Sequence, residues 1–247
     1  METKTNNFEY VYDNVSYVEN PEASRKFIAN VFVWMFVALG ISALCTYTFA
    51  FVPELSGILR DPETGRNNIL GTVTMFAPFV LVLIMSGRLH KMSVVTASIM
   101  FIAFSAIMGI SLSYIFYIYG FGTISTAFIT SAIVFGVMAI GGYTTNQDLT
   151  KFGSILIMLL IGGIIATVLN LFIFHSGSFS LLISYVLVAV FVGLTAYDVQ
   201  KLKRIGAGLE YGSAEGKKTA IMGALTLYLD FINLFLLLLR IFGGNRR

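Results

Sequence analysis

The sequence predicts an all-α polytopic membrane protein with seven transmembrane helices, on three observations. Of 247 residues, 57% are hydrophobic and only 12% charged, against roughly a quarter charged in an ordinary soluble domain. The apolar residues gather into seven runs, and nearly all of the 29 charged residues fall between those runs or in the tails. The runs are continuous, so they read as helices, because a barrel strand would alternate and would need only about ten residues.

Residues 1–26 form a polar N-terminal tail carrying Glu2, Glu9, Asp13, Glu19 and Glu22, with no apolar stretch of the kind a cleaved signal needs. Its Tyr10, Tyr12 and Tyr17 either reach the headgroup layer or belong to a loose tail. A single membrane domain, 27–243, follows, and 244–247 is a short C-terminal tail. The first span, 27–51, has no charged residue and is longer than a hydrocarbon core of roughly 30 Å requires. Pro53, Asp61, Pro62 and Gly65 punctuate the next loop, and the second span, 69–87, stops at Arg88, His90 and Lys91. The third span is 93–119. Gly120 and Gly122 make the return into the fourth, 123–143, which ends in the polar stretch 144–151. The fifth is 152–174, the sixth 179–197 and the seventh 219–239.

Several function classes drop out on composition. The 16 Lys+Arg stand against 13 Asp+Glu, too even a balance for a phosphate-binding face, so no nucleic acid is expected. Cys45 is the only cysteine, which removes disulfides and CxxC sites. His90 and His175 lie at span ends, without the spacing of a zinc site or a serine to activate. The chain is therefore not expected to be an enzyme.

Eleven Lys and Arg fall on the side of the N-terminus and five on the other, which places the N-terminus in the cytoplasm and, with seven spans, the C-terminus outside. Arg240, Arg246 and Arg247 pull the other way. A seventh segment that re-enters instead of crossing would put 14 of these cations inside.

Two aspartates break the pattern. Asp230 sits near the middle of the seventh span, where a carboxylate costs roughly 3 kcal/mol to insert. Asp198 closes the sixth. The two spans are consecutive and antiparallel, joined through the glycine-rich stretch 206–216, and the midpoint of 198 and 230 is residue 214, inside that stretch. The two carboxyls therefore fall at similar depth, where they cannot both ionise cheaply and are expected to share a proton. Such a pair is a proton-sensitive latch that turns into a cation-attracting site when deprotonated. Thr226, Asp230 and Asn233 line one stripe of the seventh helix, a possible ion pathway facing protein or water. The plainer reading is that the aspartates are hydrogen-bonding glue between helices. Arg88, on the same side as Asp198, either pairs with it or serves as a topology signal. Ala132 with Gly136, Gly141-Gly142 and Gly162-Gly163 read as close helix packing.

The run around Tyr197-Asp198 resembles the Bax inhibitor-1 family. So do Leu227-Tyr228-Leu229-Asp230-Phe231-Ile232-Asn233-Leu234-Phe235 with Leu238-Leu239-Arg240, and the stretch from Thr126-Ala127-Phe128 through Gly141, Thr144 and Asp148-Leu149. Together these motifs cover most of residues 85–243. The resemblance implies a last helix at the centre of two three-helix layers, a bacterial plasma membrane location, and a pH-sensitive calcium leak. It also implies a di-aspartyl sensor at Asp198 and Asp230, with Arg88 latching Asp198. This sequence departs from the family in a longer connection between the aspartates and in having Ala77-Pro78 in the second span where an acidic residue is expected.

Calcium takes six to eight oxygens, which Asp198 and Asp230 with Asn233, Thr226 and water supply only loosely, so the expected metal site is weak and transient. No cofactor is expected, calcium being the permeant ion; the other partners are protons and the lipid bilayer. The competing function is a non-transporting regulator that binds other membrane proteins, such as a quality-control protease or stress and cell-death machinery.

Overall fold

Each long apolar run is a helix, and several of the helices start where the sequence offers a polar side chain to satisfy the free backbone. The computed structural model describes residues 21–61, 66–88, 91–209 and 212–244. Residues 1–20 of the expected tail, with Tyr10, Tyr12 and Tyr17, lie outside the described residues, as do Pro62, Gly65, His90, Arg246 and Arg247, whereas residues 21–26, expected in that tail, form the first turns of α1, where Ala23 and Ser24 are buried. The elements are α1 (Pro21–Phe51), α2 (Pro53–Leu59), α3 (Ile69–Arg88), α4 (Val94–Leu112), α5 (Ile115–Ile118), α6 (Phe121–Thr144) and α7 (Thr150–Leu169). A π-helical turn, Asn170–Phe174, precedes α8 (Gly177–Ala207) and α9 (Ala214–Gly244).

Four of the long helices start on a side-chain cap. Asn68 Oδ1 accepts from Gly71 N at 2.8 Å, Ser93 Oγ from Thr96 N at 3.1 Å, Ser176 Oγ from Phe179 N at 3.2 Å and Ser213 Oγ from Gly216 N at 3.0 Å. The fifth span closes on the π-helical turn, where His175 takes a left-handed conformation at φ 50° and the Asn170 amide pairs with both the N–H and the C=O of Ser176. Inside α3, Pro78 has no N–H to offer Thr74 O, and Ser111 Oγ of α4 donates to that carbonyl instead at 2.5 Å.

Among the described residues, seven helical stretches are long and apolar enough to cross a membrane, Ala214–Gly244 being one of them. The last segment is thus of spanning length, not the shorter piece a re-entrant turn would use. It is also the most enclosed, with 67% of its apolar window buried, while the same window of α7 is 0% buried. Around α9, the helices α1, α3 and α4 form one layer and α6, α7 and α8 the other: α1 packs on α4, α4 on α3, α8 on both α6 and α7, and α9 touches α1, α4, α6 and α8.

Small residues let the backbones close. Gly109 of α4 lies on Ser42 of α1, and Gly142 of α6 lies on Ala196 of α8, both so tightly that a Cβ would meet backbone atoms. The α1–α4–α9 contact is further tied by hydroxyls: Ser42 Oγ donates to Ser105 O at 2.7 Å, so Tyr228 Oη, 2.7 Å away, donates to Ser42 Oγ. Tyr228 is fully buried, edge-on to Phe101 and Phe104.

The boundary expected at the end of the sixth span is corrected. Asp198 does not close a helix but sits well inside α8, which continues to Ala207. The polar residues beyond Asp198 stay helical because protein satisfies them. Ser24 Oγ donates to Lys203 O at 2.8 Å, and Gln200, Lys203 and Arg204 each bind the α6–α7 connection or its flanks.

Candidate functional site: a carboxyl pair at the floor of a cleft

The antiparallel register of α8 on α9 brings Leu202 against Gly223, and farther into the bundle it brings Asp198 to Asp230. The two carboxyls are hydrogen-bonded to each other, which requires that the pair hold a proton. Asp230 is 6% exposed and Asp198 half-buried. Among the described residues no N–H or O–H donor reaches the enclosed Oδ2 of Asp230, so the Asp198 carboxyl is the polar partner on which burial of this acid rests, a costly setting for a polar group.

Asp230, Thr226 and Asn233 line one cleft of about 620 Å³, whose back wall is α9 and α8 and whose sides are α3 and α7. Thr226 Oγ1 donates to Met222 O at 3.1 Å, leaving its lone pairs toward the cleft. The far end of the cleft is marked by Arg240, exposed, with Nη1 donating to Ser180 Oγ at 3.3 Å. Arg88 is the one expected site residue placed away from this group. It ends α3 with an exposed side chain and forms no ion pair with Asp198 among the described residues.

Sequence reasoning missed the strap that holds α8 beside Asp198. Gln200, 5% exposed, accepts from Leu149 N at Oε1 (2.9 Å) and donates from Nε2 to Gln147 O (2.7 Å). Lys203 Nζ donates to Tyr143 O at 2.8 Å and packs over its ring. Arg204 pairs with Asp148 at 2.8 Å and donates to Thr150 Oγ1 at 3.1 Å. The signal available was a glutamine at a position the helix must bury; a polar amide there is kept only with partners.

Hydrogen bonds from Thr150 and Arg204 push the Asp148 carboxyl down to about 2. The depressed value means that the strap's contribution is complete above the ordinary carboxylate range and is lost as pH falls through about 2. Asp148 is fully exposed and screened, so Asp148→Asn is expected to shift the melting temperature little. Gln200→Leu instead strands the Leu149 N–H and is expected to cost about 1–3 kcal/mol. Thermal unfolding of the two variants checks the order, and an Asp148 effect larger than the Gln200 effect would reverse the assignment.

Among the described residues, no group of three or more His, Cys, Asp or Glu side chains is placed to hold a metal ion. The carboxyl pair can therefore exchange a proton and attract a passing cation, with only neutral oxygens from Thr226 and Asn233 to help.

Comparison with known proteins shows the family of the chain. The family model described as "Inhibitor of apoptosis-promoting Bax1" matches residues 24–247. The inner membrane protein YbhL of Escherichia coli K12 is 38% identical over 232 residues, covering 94% of this chain and 97% of YbhL. An uncharacterized protein of Borreliella burgdorferi is 42% identical over 222 residues, 90% of this chain and 93% of that protein. An uncharacterized membrane protein of Streptococcus pyogenes is 34% identical over 235 residues, 94% and 99% of the two chains. With the last helix enclosed by two layers and an aspartate from each of the last two helices in contact at its centre, the chain is a membrane protein that belongs to the Bax inhibitor-1 family.

Proposed function

We propose that the protein is a proton-gated cation leak of the bacterial inner membrane, passing calcium, with its N-terminus in the cytoplasm. The observation that carries this reading is the carboxyl–carboxyl hydrogen bond between Asp198 and Asp230 at the floor of the α3–α7 cleft. While a proton bridges the pair, α8 and α9 are held together. Loss of that proton leaves two adjacent negative charges, which repel each other and draw a cation into the cleft. In this reading Arg88 latches Asp198 when it is ionised, and Thr226 and Asn233 lend oxygens to the ion in transit. The scarcity of charged ligands suits passage rather than retention, since two carboxyls and a few neutral oxygens make a shallow calcium site.

The orientation rests on the cation count of the sequence, and the location on the inner-membrane description of YbhL.

Purified protein in liposomes, with calcium flux followed at two pH values, tests the reading. Wild type is expected to pass calcium at a pH-dependent rate, and Asp230→Asn, which keeps the volume but cannot share the proton in the same way, to lose that dependence. Flux that keeps its pH dependence in Asp230→Asn would remove the mechanism. No flux from wild type at either pH would favour a regulator that acts by binding other membrane proteins.

A further inference from the structure

The cleft that ends on Asp230 is far larger than a dehydrated ion and is walled mostly by hydrocarbon. Phe79 and Val82 of α3, Leu160 and Ile164 of α7, and Leu187 of α8 face its 620 Å³, a volume in the range of about 300–1,000 Å³ that holds organic ligands. Helix α3 packs on α4 and α7 on α8, and α3 and α7 form no packed interface with each other among the described residues. Phe79 is 69% and Ile164 53% exposed, so the cleft opens sideways between α3 and α7, at the depth of the lipid tails.

At its floor stands a chemically specific group. Asp230 is more than nine-tenths buried, lines the cleft, and has the Asp198 carboxyl as its polar partner among the described residues. A singly protonated carboxyl pair carries one net negative charge, and the neighbouring polar groups, Thr226 Oγ1 and the Asn233 amide oxygen, offer further acceptors on the same stripe. The complement of that floor is a cation with several N–H donors, and the complement of those walls is an alkyl or aryl chain. A hydrated divalent ion matches the first and not the second. The charged groups facing the cleft are Asp198 through its bond to Asp230, and Arg240, about 15 Å along α9. The guanidinium of Arg240 opposes the entry of a cation from its own end and leaves the bilayer side as the favourable approach.

We propose that the α3–α7 cleft binds a membrane-partitioned amine, with its ammonium on the Asp230 carboxyl, flanked by Thr226 and Asn233, and its hydrocarbon chain along the walls of α3 and α7. The inference deepens the leak reading, because the ligand would occupy and plug the path assigned there, yet the binding itself needs no flux. One ammonium neutralises the pair and brings N–H donors to a carboxyl that has only another carboxyl beside it. The chain gains little in passing from lipid to the cleft walls, so selection comes from the head.

Equilibrium binding of radiolabelled dodecylamine to the full chain in nanodiscs tests this, with dodecanol as the uncharged probe of equal length. Saturable binding near one amine per chain is expected, with dodecanol at least ten-fold weaker. Asp230→Asn is expected to weaken the amine at least ten-fold. Ile164→Trp, at an exposed position where a larger side chain is accommodated while filling the cleft, is expected to do the same. Uptake that never saturates, or that neither variant changes, is partition into the bilayer alone and overturns the proposal. Saturable, Asp230-dependent binding by a protein that passes no calcium would leave this site standing while the leak reading fell. Calcium flux without saturable amine binding would do the reverse.

Discussion

Gly142→Val is expected to abolish accumulation of folded protein, whereas Gly141→Ala, one residue away, is expected to be neutral or slightly stabilising. A Cβ at 142 would lie 2.2 Å from the carbonyl oxygen of Ala196 and 2.7 Å from its Cα, both backbone atoms that cannot rotate aside. A Cβ at 141 meets nothing within 4 Å. The α6–α8 contact cannot simply open to make room, because Lys203 is bonded to Tyr143 O and Gln200 to the connection that follows α6. Strain of this kind falls at or beyond the upper end of overpacking effects, more than about 3 kcal/mol. The alanine at 141 instead gains the roughly 1 kcal/mol by which it exceeds glycine as a helix former. Size-exclusion profiles and melting curves of the two variants in detergent give the comparison, and equal yields of folded protein would mean that α6 and α8 are not in the contact described. The consequence reaches the carboxyl pair, since Ala196 lies on α8 just ahead of Asp198 and any separation there moves Asp198 away from Asp230.

Gly141-Gly142 shows where the sequence stops speaking. A pair of adjacent glycines in an apolar run announces close packing, but which of the two faces the neighbour depends on the rotation of α6, which a nearly uniform apolar surface does not encode. The spans themselves were legible because desolvation forces charge out of the hydrocarbon, and the depth of Asp198 and Asp230 was legible because two consecutive antiparallel helices fix it. The end of α8 was not. Hydropathy falls after Tyr197, yet the helix runs on to Ala207 because partners distant in sequence, Ser24 and the residues from Tyr143 to Thr150, take up its polar groups. Likewise nothing local to Pro78 reveals that Ser111 serves the carbonyl it leaves free. The cleft depends on which helices fail to touch, a property of packing that no single segment carries.

Asp230→Leu is expected to make the protein more stable while removing any proton dependence from it. The wild-type residue buries a carboxyl whose polar partner, among the described residues, is another carboxyl, in a position where insertion of an acid is unfavourable by roughly 3 kcal/mol. Leucine keeps the branched skeleton of aspartate with two larger methyl groups in place of the oxygens, its extra bulk can extend into the cleft that residue 230 lines, and its neighbours on α9, among them Leu227, Phe231 and Leu234, are already core residues, so no cavity opens. Asp198 loses its hydrogen bond, but it is half-buried and better able to take up water. The net expectation is a gain of about 1–3 kcal/mol, read as a higher melting temperature or a higher denaturant midpoint in the same detergent. This is the opposite sign to the usual effect of changing a buried side chain, which ordinarily destabilises. A fold that becomes firmer when its most buried acid is deleted carries that acid for a purpose other than cohesion. If Asp230→Leu instead melts lower than wild type, the pair is inter-helix glue, and the hydrogen bond to Asp198 outweighs the cost of burying the acid.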